Sequence, residues 1–387
     1  FDGGFATGET TLRSRLATFL SRPYDNTNIV VERVGDRFLA LTESPRWVEL
    51  DPVTLATTGH VQYDGSAPTG QLTCAHLKRD PSTGTLVNVA TEFGRTSRYH
   101  VHAVTGPAER THVGSVPTEK PAYMHSFALT PRYVVLTEFP LRLDPRRLLR
   151  PGRQAPFIEQ FEWEPERGTR LVVVDRTTGE TVAESTIEPL FGFHHVNAFE
   201  RAGGSEVVMD IETVPDATSI DSLYLDRLRA GELGTLSARL DRLTVTLNSD
   251  SGVSADRRTL SDAGIALPTV SPDRWCRSHR YVYAMAMAQP VTEWARGVRK
   301  VDVESGEATT QRAGADYFGE PIFVPDPDGT SEDDGVVLTV GLETDRERSR
   351  LLVLDGETLT ERARVDLPHA LPFDFHGRYF PEVRATG

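Results

Sequence analysis

Short apolar runs separated by polar breaks dominate the chain. Runs rich in Val, Ile, Leu, Thr and Tyr recur at 28–44, 132–141, 169–182, 206–214, 279–287, 335–343 and 349–359, bounded by Gly, Pro, Asp and Asn. Such runs predict strands rather than amphipathic helices. Four segments share one grammar of strand, Asp, Gly- or Thr-containing turn, and strand: LDPVTLATTG (50–59), VDRTTGETV (174–182), VDVESGEAT (301–309) and LDGETLTERA (354–363). Each predicts a hairpin in which Asp bonds the turn and Gly supplies the positive φ. Loose repetition of this kind predicts an all-β chain folded as a β-propeller of four-stranded blades. A large sandwich or barrel is the competing architecture, and so many hairpins exceed what one sandwich needs. One stretch breaks the pattern. SIDSLYLDRLRAGEL (219–233) has apolar residues at 220, 223, 225 and 228 and then Gly231, which predicts a short helix capping one face. No Pro/Ser-rich linker interrupts the chain, so 1–387 reads as a single domain.

Composition narrows the function classes. With 387 residues and 38% hydrophobic content the chain can bury a large core. The formal net charge of −14, from 42 basic and 56 acidic residues, argues against a nucleic-acid partner, which needs a basic stripe. Lysine is scarce (Lys78, Lys120 and Lys300). Salt tolerance and a GC-rich genome each account for that bias. Two cysteines, Cys74 and Cys276, make no disulfide framework, so a reducing, cytoplasmic setting is expected. No run of 18 apolar residues and no signal peptide is visible.

The candidate chemistry lies in the histidines. Of eleven, His60, His100, His102, His112 and His369 sit in ordinary polar or strand contexts, and His279 reads as orienting a strand end. Four others sit in distinctive motifs: His76 in CAHLKRDPSTGTL, His125 in MHSFALTPRYVV, His194 in FHHVNAFE and His376 in FDFHGRYFP. His76 is expected at a strand end and His125 at a strand start. Gly377 beside His376 would tolerate a close backbone approach. His194 and His195 should point to opposite faces of a strand, so only one enters a site. Imidazole is a neutral ligand suited to iron, zinc and copper. Four of them without a carboxylate would leave the metal its full charge, which suits redox or oxygen-activating chemistry. No HxH or HxxxH spacing ties any two of the four together, so spacing alone leaves their convergence open.

At these motifs the sequence resembles the carotenoid cleavage oxygenase family, which includes carotenoid dioxygenases and the retinal pigment epithelium isomerohydrolase. Seven blocks match in order: FDGG (1–4), DNTNIVVERVGDRFLALTES (25–44), AHLKRDPSTGTL (75–86), MHSFALTPRYVVLTEFPL (124–141), FHHVNAFE (193–200), GEPIFVPDPDGTSEDDGVVL (319–338) and FDFHGRYFP (373–381). The resemblance implies a seven-bladed propeller with a helical cap and Fe(2+) on its axis. It implies His76, His125, His194 and His376 as catalytic ligands, with His195 turned away. It also implies glutamates that hold the far ring nitrogens, and Glu43 and Glu320 match two of them. For the third, the family has glutamate two residues before a proline, where this chain has Ala266 before Leu267-Pro268. That departure predicts two carboxylate supports instead of three, with His194 oriented by water or another group. FDGG and DNTN are separated by only 20 residues, fewer than the family usually has, so 5–24 is read as joining regions that are not contiguous.

The activity implied by the resemblance is cleavage of a conjugated C=C bond of a carotenoid or apocarotenoid by dioxygen, with retinal among the products considered. Retinoid isomerohydrolysis and cleavage of a stilbene-type substrate are the alternatives on the same fold, and a non-catalytic binding propeller is the alternative outside it. Phe127, Phe191, Phe193, Trp275 and Phe373 are candidates for a substrate tunnel, with plain core packing as the competing reading. Thr42 is a candidate for the oxygen pocket. A peripheral membrane contact is expected because the substrate class is lipid-soluble. The mixture of arginines with Leu148, Leu149, Phe157 and Ile158 in 142–161 reads either as that contact or as an inter-blade loop.

Overall fold

A computed structural model describes residues 27–61, 63, 67–149, 156–232, 238–247, 253–312, 316–372 and 375–383. Residues 5–24 and Phe373 therefore lie outside the described residues. The chain divides into two compact units, Phe1–Pro189 with Phe380–Gly387, and Leu190–Tyr379.

The first unit contains three antiparallel meanders. One runs Val30–Val34, Arg37–Leu41, Val48–Leu50 and Thr57–His60. The next joins Leu72–Thr73 and Lys78–Arg79 to Leu86–Glu92, Ser97–Val104 and Arg110–Thr118. The third runs Ala128–Leu129, Tyr133–Glu138, Thr169–Asp175 and Thr181–Ile187. Alternation along Val30–Val34 sends Val30 and Val34 inward, where they pack with Leu39, Leu41, Trp47, Ala75 and Leu77.

The second unit holds a seven-stranded sheet from His195–Arg201 to Ala308–Gln311 and a five-stranded sheet from Tyr317–Phe318 to Glu361–Asp366. Ser254–Thr269 serves two meanders. Its first part pairs with Ala238–Thr246, and its last residues pair with Tyr281–Ala286. This strand is polar and carries Gly264 and Pro268, so apolar patterning did not reveal it. Meandering antiparallel sheets of four or more strands give the all-β, propeller-like arrangement that the pattern predicts.

The repeated turn is physical. Asp51, Asp175, Asp302 and Asp355 each accept two turn amides through Oδ1, at 2.7–3.3 Å. Four residues on, the backbone enters the left-handed region at Leu55 (φ 59), Gly179 (φ 74), Gly306 (φ 78) and Leu359 (φ 59). Glycine thus supplies the positive φ in only two copies. Leu359 is fully buried in a core with Tyr283, Phe318 and Phe323, so packing outweighs backbone strain there. Leu55 is 75% exposed and has no such compensation.

One local expectation is corrected. In place of one helix over 219–233 there are two short ones, Thr218–Asp221 and Leu225–Ala230. Tyr224 between them is extended (φ −64, ψ 138), and Gly231 closes the second helix at φ 70. In 142–161, Leu148 lies in the core. Phe157 packs edge-on against Phe93 and Phe161, and Ile158 is half-buried. Arg142, Arg146 and Arg147 pair with Glu138, Asp144 and Glu162, so their charges are largely met within the protein. The side chain of Leu149 and residues 150–155 lie outside the described residues. No helix among the described residues is long and apolar enough to cross a membrane.

Candidate metal centre

His76 occupies the turn between Leu72–Thr73 and Lys78–Arg79, held by the buried neighbours Ala75 and Leu77. His125 precedes the strand Ala128–Leu129 by three residues, so it lies in a loop and not at a strand start. That loop is fixed from behind. Ala122 bridges to Arg142, and its N–H donates to the Tyr99 hydroxyl at 2.6 Å. Tyr99 in turn donates to the buried Glu138 at 2.9 Å. Burial opposes the charge on Glu138, but Arg142 and hydrogen bonds from Thr118 and Arg170 hold its carboxyl below the usual range. Two further bonds tie the loops together: Cys74 Sγ donates to Met124 O at 3.1 Å, and the Thr73 amide donates to Glu43 O at 2.7 Å.

The result in the first unit is a facing pair of rings. Nε2 of His76 lies 3.1 Å from Nε2 of His125. The far nitrogen of His125, Nδ1, donates to Glu43 at 2.6 Å.

The second unit repeats the arrangement. Nε2 of His194 lies 3.1 Å from Nε2 of His376. Nδ1 of His376 donates to Glu320 Oε1 at 2.8 Å, while the Gly377 amide donates to the other oxygen at 2.8 Å. A Cβ on Gly377 would meet the Cδ1 methyl of Ile322 at 2.8 Å, so what approaches the glycine is a side-chain end. Nδ1 of His194 donates to Glu212 at 2.5 Å. The expectation from Ala266 is therefore corrected: His194 does have a carboxylate, and the supports number three. Glu212 lies on Glu206–Thr213, the hairpin partner of His195–Arg201, and its amide donates back to His194 O at 3.2 Å. Gly192 permits this approach, because a Cβ there would sit 2.2 Å from Glu212 O. The signal was available in the hairpin register, since FHHVNAFE turns at Ala202–Gly204 and returns through EVVMDIET. His194, one residue before the strand His195–Arg201, and not the buried His195, faces His376.

The carboxylates settle the tautomers. A neutral imidazole that donates its Nδ1–H in a hydrogen bond keeps a lone pair on Nε2. In the His194–His376 pair both rings do so, and two lone pairs facing at 3.1 Å repel unless a cation is shared. A spacing of 3.1 Å fits neighbouring ligands each about 2.1 Å from one ion. The two imidazoles of each facing pair are nitrogen donors able to hold a metal ion. Neutral nitrogen donors suit iron, zinc, copper or cobalt better than magnesium or calcium.

The other candidates separate by position. Phe127 and Phe191 are fully buried, Phe191 in a bridge with Val214. Phe193 packs edge-on to Phe191 and lies beside His194, with ring centroids 6.2 Å apart. Trp275 packs against a core of Leu240, Ile265 and Val282, under the Arg378 guanidinium. Thr42 is buried, and its carbonyl accepts the Trp47 indole N–H at 3.2 Å. His279 does more than orient a strand end. It lies 3.0 Å from the buried Asp210, which also pairs with Arg242.

Comparison with known proteins agrees with this geometry. The family profile described as retinal pigment epithelial membrane protein matches residues 4–381. The chain is 33% identical over 372 residues to the rice protein named carotenoid cleavage dioxygenase 8 homolog A, chloroplastic, covering 92% of this chain and 66% of the relative. It is 30% identical over 373 residues to the Synechocystis protein named apocarotenoid-15,15'-oxygenase, covering 92% and 72%. The chain thus spans just under two thirds of the rice relative. The crystal structure of cobalt-substituted Synechocystis ACO superposes with a TM-score of 0.78 at 26% identity, over 90% of this chain and 73% of that one. The profile match runs through both histidine pairs and all three of their carboxylates, and the chain belongs to the carotenoid cleavage oxygenase family.

Proposed function

We propose that the two histidine pairs act as one centre, with His76, His125, His194 and His376 holding a single ferrous ion. On this reading the protein is a non-haem dioxygenase that cleaves a conjugated C=C bond of a carotenoid or apocarotenoid. The observation that carries it is the paired geometry: facing Nε2 atoms at 3.1 Å, with carboxylates on the Nδ1 atoms of His125, His194 and His376. The names of the dioxygenase and apocarotenoid-oxygenase relatives support the substrate class. When bound, ferrous iron supplies the means of activating dioxygen.

The protein's own residues do the rest. Neutral imidazoles leave the ion its full charge. Glu43, Glu212 and Glu320 accept the far ring protons and fix the direction of each ring. Phe193, whose ring centroid lies 6.2 Å from that of His194, is assigned to pack against the polyene. In the overall reaction one C=C bond and one O=O bond break, two C=O bonds form, and each product keeps one oxygen atom. The reading includes a complete seven-bladed propeller as a single domain, and a cytoplasmic protein that meets its lipid-soluble substrate at a membrane surface.

The test is incubation of the iron-loaded protein with β-carotene and apocarotenals under heavy dioxygen. Aldehyde or ketone products carrying label are expected. Retinol labelled from water would overturn the reading in favour of isomerohydrolysis, and no conversion by fully iron-loaded protein would overturn it altogether. His125→Ala should lose both bound iron and conversion, and unchanged iron stoichiometry would sink the ligand assignment.

A further inference from the structure

Tyr123 stands at the carboxylate end of the first histidine pair. Its hydroxyl lies 2.9 and 3.0 Å from the two Glu43 oxygens and 3.3 Å from Nδ1 of His125. Glu43 thus receives two donors, the His125 ring N–H at 2.6 Å and the Tyr123 O–H. The other carboxylates are held differently. Glu320 has its second oxygen on the Gly377 backbone amide, and Glu212 is enclosed, with its side chain 5% exposed. The Glu43 side chain is the most exposed of the three at 23%, so it has the most rotamer freedom to restrain. Tyr123 is well placed to restrain it. Its amide donates to Leu141 O at 3.1 Å, and its ring packs edge-on against Phe161 with centroids 5.7 Å apart.

We propose that Tyr123 is a positioning residue: its hydroxyl holds the Glu43 carboxylate where it receives the His125 N–H, and so aims Nε2 of His125 at the metal. The inference rests on the metal-centre reading above. Cobaltous ion serves as the probe. Affinity is read by competition with a chromophoric chelator, geometry by the visible cobalt absorption, and folding by the melting of the metal-free protein. Tyr123→Phe should weaken cobalt binding about tenfold, the low end for loss of a ligand's hydrogen-bond partner. It should also alter the cobalt spectrum and leave the metal-free melting unchanged. In a Glu43→Ala background, where no carboxylate is left to hold, Tyr123→Phe should cost nothing further. If His125→Ala abolishes binding but Tyr123→Phe matches wild type in affinity and spectrum, the inference fails while the metal centre stands. Full additivity with Glu43→Ala overturns it equally. Wild-type affinity in His125→Ala overturns the metal-centre reading, and this inference with it.

Discussion

Glu212 to glutamine is the substitution that most directly tests how His194 is held. Glutamine keeps the shape of the side chain and a carbonyl that can accept the His194 Nδ1 proton, so packing is preserved at a position that is 4% exposed. What is lost is the charge on a bond of 2.5 Å. Hydrogen bonds to charged groups contribute about 1.5–3 kcal/mol and neutral ones about 0.5–1.5 kcal/mol. The difference of about 1–1.5 kcal/mol corresponds to roughly a fivefold to tenfold weaker metal affinity. Anaerobic titration of ferrous or cobaltous ion against a competing chelator measures it. Ala266→Glu is the matched control. His194 Nδ1 carries one proton and already gives it to Glu212, so a second carboxylate adds no bond. Affinity should stay level or fall. Unchanged affinity in Glu212→Gln, alongside loss in His194→Ala, would refute the role of Glu212. Tighter binding in Ala266→Glu would show that the third support belongs at 266 after all.

Two further outcomes concern the fold. Leu55 sits at φ 59 in a turn where Gly179 and Gly306 occupy the equivalent place, and it is exposed. Leu55→Gly should therefore stabilise the protein by about 0.5–1 kcal/mol, relief of left-handed strain outweighing the added unfolded-state entropy; an equal or lower denaturation midpoint contradicts this. Acid should attack the turns themselves. Burial opposes the charge of Asp355, but the Thr358 amide and the Arg362 guanidinium bring its pKa down to about 2. Asp175 and Asp302 are lowered as well, the first chiefly by the Thr178 amide, the second against burial by Arg280. A folded pKa below the unfolded value of about 3.9 means that this stability is complete above about pH 4 and is lost as pH falls toward 2. The melting deficit of Asp355→Asn should shrink across that window, and a deficit constant from pH 7 to pH 2 counts against the mechanism.

Much of what depends on near neighbours along the chain was legible in the sequence. The Asp turns were legible because Asp Oδ1 bonds amides two and three residues ahead, a contact that needs no tertiary fold. Many of the strands were legible as short apolar runs bounded by turn residues. The ordered motifs around His76, His125, His194 and His376 marked the candidate ligands. Position in space decided the rest. Spacing alone left the convergence of the four histidines open, because nothing in linear order states that His76 and His125, 49 residues apart, face each other at 3.1 Å. Leu359 takes a left-handed turn because a core closes over it, which its own segment does not show. The family pattern points to the position of Ala266, whereas antiparallel pairing carries Glu212 back beside His194. Ring direction and tautomer belong to the same class. A histidine's identity says that it can bind a metal, but which nitrogen faces outward is set by the carboxylate that the folded chain places behind it.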